Sequence, residues 1–240
     1  MNSDRPSFAT THWSKVWQAS KDDSSGRNAR QQLCQQYWYP LYAFLRRSGH
    51  DPHASEDLVQ GFFADLLARE GLQHADPRRG RFRSFLLTAC RNYAANQSRA
   101  QRTARRGGGR QLLSIDFDPE RAEQRYGREP IDEETPERLF QRQWALAVID
   151  TALDRLASEY ANAGNPQWFA ALRPFLAPCD EPPSTETVAR QLQMTPGALR
   201  VAIHRLRRRF GEALREEVRR TVESDEELEE ELRALLAAVR

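Results

Sequence analysis

Residues 185–214 read TETVARQLQMTPGALRVAIHRLRRRFGEAL, and this stretch decides how the rest of the chain is read. Val188, Ala189 and Leu192 give a first short helix one apolar face. Met194-Thr195-Pro196-Gly197 then breaks it. Thr195 is suited to cap a following helix, and Pro196 to its first position, where a missing N–H costs nothing. From there Leu199, Ile203, Leu206, Phe210 and Leu214 recur at helical spacing, the mark of one buried stripe. Arg200, His204, Arg207 and Arg208 fall off that stripe, with Arg205 and Arg209 on its flanks. Residues 200–215 hold six arginines against one acid, Glu212. A short helix, a turn and a basic second helix form the helix-turn-helix layout, in which the second helix enters the DNA major groove. Such arginine density favours phosphate neutralisation over a merely solvated face.

Charge along the 240 residues is blocked rather than mixed, although the net value is only +2. Residues 78–110 carry ten arginines and no acid. Residues 116–137 carry nine acids and three arginines, and 223–231 seven acids and no base. Two basic working surfaces and two acidic segments follow from this distribution. The cations are 34 arginines and two lysines, and the planar guanidinium suits phosphate and guanine, though genome base composition produces the same bias. Cys34, Cys90 and Cys179 are too few and too separated for a disulfide framework or a zinc site; Cys34 and Cys90 sit on apolar stripes and read as core. No apolar run has the length of a membrane span or a secretory core, so the expectation is a cytoplasmic chain without a membrane partner, cofactor or metal.

Outward from the opening stretch, the pattern is helical almost throughout, and no strand is expected. Phe8, Trp13, Val16 and Trp17 make one helical stripe near the start, read as a core or capping helix in preference to a docking surface. Residues 30–47 form an amphipathic helix that Pro40 is expected to kink or divide. Residues 53–69 follow after a turn, then 82–100, with Phe82, Phe85, Leu86, Ala89, Cys90 and Tyr93 inward. Low hydrophobicity and high charge make the following residues to about 137 a linker, with Gly107-Gly108-Gly109 mobile and Leu112, Leu113, Ile115 and Phe117 as a possible anchor. Helix returns at Pro136, and Leu139, Trp144, Val148, Leu153 and Leu156 share a side. The tail, 216–240, is an acidic helix with Leu228, Leu232, Leu235 and Leu236 on one face. It reads either as a packing helix or as a mask over Arg207–Arg209.

Three features stand in order: Glu56-Asp57-Leu58-Val59-Gln60 with Phe63, the basic stretch Phe82-Arg83 through Leu86 to Asn92, and the helix-turn-helix. The combination resembles bacterial RNA polymerase sigma factors of the sigma-70 family, in particular the extracytoplasmic-function type, which keeps only regions 2 and 4. The family's segment "D-A-E-D-L-V-Q-x-x-F" is matched except that Ala54 and Ser55 stand where Asp and Ala are usual. Its "F-R-x-W-L-x-x-I-A-x-N" is matched at Phe82, Arg83, Leu86 and Asn92, with Phe85 in place of Trp. Its region 4 pattern runs alongside Val188, Ala189, Leu192, Thr195, Gly197, Leu199 and Arg200, with Gln193 where Gly is usual in the turn.

The resemblance implies an all-α chain with a region 2 bundle and a region 4 helix-turn-helix joined by a flexible linker. The boundaries drawn are an N-terminal extension at 1–26, region 2 at 27–106, a linker at 107–142, region 4 at 143–215 and an acidic helix at 216–240. It further implies docking on core RNA polymerase, the β′ and β subunits, through Glu56, Asp57, Gln60 and Phe63. Physically, Glu56 and Asp57 read equally as first-turn acids that favour the helix dipole. For the −10 promoter element the candidates are Arg83, Arg91, Asn92, Asn96 and Arg99: arginines for phosphates, amides for base edges of an opened strand. Flexible Arg102, Arg105 and Arg106 extend that track. For the −35 element they are Thr195, Arg200, Val201, His204, Arg205 and Arg208. Promoter DNA is thus the second partner, and an anti-sigma protein or a kinase acting near Ser55 is a possible regulator. The competing reading is a stand-alone helix-turn-helix regulator that binds operators without polymerase. An enzyme is not expected: His50, His53 and His74 form no paired carboxylate–histidine spacing, and no P-loop or nucleophile elbow is present.

Overall fold

The computed structural model of the chain describes residues 24–67, 81–103, 118–129, 134–176, 183–222 and 224–239. Its fold is all-α, with no strand among the described residues. The helices are α1 (Ser24–Arg47), α2 (Pro52–Leu67), α3 (Phe82–Thr103), α4 (Pro119–Tyr126), α5 (Pro136–Asn162), α6 (Pro166–Leu172), α7 (Thr185–Gln191), α8 (Pro196–Arg219) and α9 (Asp225–Ala238), with a 3₁₀ turn at Arg173–Phe175. They gather into two compact units, Met1–Ala147 with Arg219–Arg240, and Val148–Val218.

In the first unit α1 is the central rod. Every residue from 37 to 45 is buried, so the helix is covered on all sides rather than along one stripe. Pro40 lies inside this continuous helix. The expected division at the proline does not occur. Burial of Tyr37, Trp38, Leu41 and Tyr42 stabilises by about 1.5–3 kcal/mol per large side chain, enough to offset a proline penalty of about 3 kcal/mol. Helix α2 packs on α1, and α3 on α2. Phe82 of α3 meets Tyr37 edge-on with ring centroids 5.6 Å apart, and Phe62 meets Tyr93 at 6.0 Å. Gly61 of α2 faces the Tyr93 phenol so closely that a Cβ there would collide with the hydroxyl. Phe140 and Trp144 of α5 and Leu228 and Leu235 of α9 complete the buried set.

Helix α4 falls inside the stretch expected to be linker. Asp118 caps it by accepting from the Arg121 N–H at 3.0 Å. Its only buried residue is Ala122. What holds it is polar: Tyr42 Oη donates to Glu123 Oε2 (2.5 Å), and Arg46 donates to both Glu123 oxygens (2.7 and 3.0 Å). Arg125 lies over the Tyr39 ring at 3.9 Å, and Arg46 over Tyr126 at 4.9 Å.

The second unit carries Leu156, Phe169, Leu172, Val188, Leu199, Ile203 and Leu206 as core. Helix α7 is capped by Ser184, and residues 192–195 turn into α8. The Phe8–Trp17 stripe, Leu112–Phe117, the glycine run, His74, Arg105, Arg106 and Cys179 lie outside the described residues, as does the side chain of Arg102.

Candidate nucleic-acid interface

In the second unit the turn expected between the two helices is present, with its caps. Thr195 Oγ1 accepts from the Ala198 N–H at 3.2 Å, and α8 begins at Pro196. Gln193, the departure from glycine, adopts φ +54°, the left-handed region that favours glycine. The Met194 N–H closes on Ala189 O at 2.9 Å and the Gln193 N–H on Arg190 O at 3.1 Å, which satisfies the end of α7.

Leu199, Ile203 and Leu206 point inward, and Arg200, Val201, His204, Arg205 and Arg208 are all exposed on α8, as is Thr195. Val201 is 50% exposed, an apolar side chain held in solvent on an otherwise cationic face. Arg208 makes an open i,i+4 pair with Glu212 at 3.3 Å, weak and easily exchanged for another anion. Arg207 and Arg209 are used by their own unit: Arg207 Nε donates to Phe175 O at 3.0 Å, and Arg209 pairs with Glu159 at 2.5 Å and lies over Tyr160.

In the first unit, α2 starts one turn earlier than the acids do. Asp51 caps it by accepting from the Ala54 N–H at 2.8 Å, and no acid lies in the first turn. Glu56 and Asp57 therefore stand in the second turn, where the helix dipole has faded, and the reading of them as dipole acids loses its basis. Asp57 is exposed; Glu56 and Gln60 are half-buried and joined by a hydrogen bond of 3.1 Å. Phe63 is buried in the core and Ser55 is fully enclosed, so Ser55 offers no hydroxyl to a kinase in this structure.

Helix α3 presents Asn92, Asn96 and Arg99 at i, i+4 and i+7, all exposed, with exposed Arg91 beside them. Arg91 pairs with Glu137 and lies over the Phe44 ring at 5.7 Å. Arg83, expected on this face, is turned inward instead. It is 7% exposed, stacked 4.5 Å from the Trp144 ring and held by both oxygens of buried Glu231 on α9 (2.5 and 2.9 Å). Arg81 reaches Glu230 and Glu231 at 3.0 Å each. The acidic tail thus packs within the first unit, joined to α3 through Arg81 and Arg83. Nothing in the pattern around Arg83 signals this, because its partner lies 148 residues away.

Burial pushes the Cys34 and Cys90 thiols up to about 12, which keeps both protonated and inert core residues, as their stripes suggest. Among the described residues no group of three or more His, Cys, Asp or Glu is placed to hold a metal, and no helix is long and apolar enough to cross a membrane.

No curated protein and no solved structure matches the chain. Residues 33–104, from the middle of α1 to the end of α3, match the family model described as Sigma-70 region 2. The α2 edge and the α3 face both lie inside the matched span.

Proposed function

We propose that this chain is a sigma factor of the extracytoplasmic-function type, which joins core RNA polymerase and directs it to promoters with separate −10 and −35 elements. The observation that carries the reading is the region 2 match at 33–104, whose third helix presents Asn92, Asn96 and Arg99 as one exposed stripe. Asp57 with the Glu56–Gln60 pair is the polar edge offered to the β′ subunit, an acidic surface free of a dipole role. Phe63 supports that edge from below as a core residue. On α3, Asn92 and Asn96 read unpaired bases by their amides, while Arg91 and Arg99 hold strand phosphates. Arg83 anchors α3 to α9 and meets DNA only if Glu231 releases it.

On α8, Arg200, Arg205 and Arg208 supply guanidinium forks to a duplex, Val201 an apolar contact for a thymine methyl, His204 a hydrogen bond and Thr195 the cap that sets the helix entry. Two moderate contacts on one chain act bivalently, so promoter affinity exceeds that of either alone. The work is done in the cytoplasm, where the polymerase is, and the chain itself catalyses nothing. Control by an anti-sigma protein fits the exposed edges of α2 and α8; control by a kinase would need a site other than Ser55. A stand-alone operator-binding regulator would use α8 and leave residues 33–104 without a role.

Reconstitution with core polymerase followed by run-off transcription on a genomic promoter library tests the reading. Promoter-specific transcripts that vanish with Asp57→Arg, while the variant still folds, are expected. A chain that never associates with core polymerase, yet footprints duplex DNA alone, overturns it in favour of the stand-alone regulator.

A further inference from the structure

The acidic stretch 116–137 holds only three arginines, and they are not scattered. Arg121, Arg125 and Arg128 stand at i, i+4 and i+7, on one side of α4 and the turn that follows it. With Gln124, Glu129 and, from α5, Arg142, they line a cavity of about 430 Å³ within the first unit. Four guanidinium groups face one space, in a segment where composition alone predicts repulsion of anions.

The one acid that lines the cavity, Glu129, and the described acids Glu123 and Glu134 are already committed. Glu123 is turned away to Arg46 and Tyr42. Glu129 accepts from Tyr39 at 3.2 Å through one oxygen and from Arg142 at 2.8 Å through the other. Glu134 also pairs with Arg142 at 2.8 Å. Arg125 is fixed in place, stacked on Tyr39 and donating to Gln143 Oε1 at 2.8 Å. Arg121 and Arg128 have no acidic partner among the described residues, so the cavity keeps a cationic excess. Planar forks converging from two helices, one of them pre-oriented by an aromatic ring, are the arrangement that recognises phosphoryl oxygens bidentately.

We propose that this cavity is a phosphate-binding site taking two or three successive phosphoryl groups, with Arg121 and Arg128 as the open cations and Arg125 as the fixed one. The phosphates come either from a free nucleoside polyphosphate or from the backbone of a single nucleic-acid strand. The site is independent of the two promoter-contact faces on α3 and α8.

Calorimetric titration of the full chain with inorganic tripolyphosphate, at low salt and without magnesium, provides the test. Binding is expected to weaken at least tenfold in the R121Q/R128Q double variant and to change less than twofold in R173Q/R233Q, which removes equal charge from exposed positions outside every proposed contact face. Competition then separates the sources: displacement by guanosine triphosphate marks a nucleotide site, and displacement by an eight-residue oligothymidylate marks a strand site. No binding, equal weakening in both double variants, or displacement by neither competitor overturns the proposal. Arg121 on α4 and Arg128 just beyond it are both exposed, so the melting temperature should not move. If it does, R128Q alone, beyond the helix end, gives the same readout.

Discussion

Gln193 carries the most local strain that the described backbone shows at a non-glycine residue. A left-handed conformation costs an L-residue about 1 kcal/mol or more, and glycine escapes most of that. Gln193→Gly is therefore expected to stabilise the second unit by about 0.5–1 kcal/mol, read as a rise of a few degrees in its thermal transition. Glu123 makes a different kind of prediction. Hydrogen bonds from Arg46, and after them from Tyr42, hold its carboxyl below the usual carboxylate value despite some burial. A lowered folded value means stability that is present above the unfolded value, about 4.3, and lost as pH falls through the folded one. Acid unfolding followed between pH 5 and pH 2 should thus show a smaller loss of stability in Glu123→Gln than in the parent, with a lower plateau at pH 7. At the proposed DNA-contact faces, Arg205→Ala should cost about 1–3 kcal/mol of discrimination at one promoter position, whereas Arg91→Ala should weaken binding for all sequences and flatten the salt dependence. Filter binding of the polymerase complex over a salt series distinguishes the two.

Elements were legible from the sequence wherever apolar residues kept a helical period. The stripe Leu199–Leu214 located α8, Thr195 and Pro196 its start, and Cys34 and Cys90 their places in the core. Helix α4 was not legible, and neither was the partner of α9, for physical reasons. Helix α4 has a single buried residue and is held by carboxylate–tyrosine bonds and arginine–ring stacking, so no hydrophobic period exists to read. Helix α9 showed its leucine face, but the identity of its partner depends on Glu231, an acid indistinguishable in sequence from the six others around it. That acid is expected to dominate. Glu231→Ala leaves the Arg83 guanidinium buried without its counter-charge, a loss of about 3–5 kcal/mol. The apolar replacement Arg83→Met with Glu231→Leu should recover most of that loss, since two charges are then withdrawn together. Urea unfolding of the three chains decides it, and no recovery would mean that the pair contributes more than its desolvation costs.

At the scale of the whole molecule, the first unit is discontinuous: residues 219–240 belong with 1–147, and the second unit is inserted between them. Removing α9 should accordingly raise amide exchange in α1 and α3, the helices that carry Tyr37 and Arg83, far more than in α7 and the first turns of α8. Hydrogen-exchange mass spectrometry of the chain lacking 225–238 reads this directly, and uniform protection in α1 and α3 would contradict it. The region 2 match ends at residue 104, so a family pattern had no means of showing that a helix more than a hundred residues further on completes the same core. Discontinuity also bears on biosynthesis. The ribosome delivers Arg83 first and its counter-ion 148 residues later, an interval of roughly 7–30 s at ordinary elongation rates. Throughout that delay the nascent domain holds an unmatched cation beside an unfinished wall, and it reaches its final form only once translation has passed Glu231.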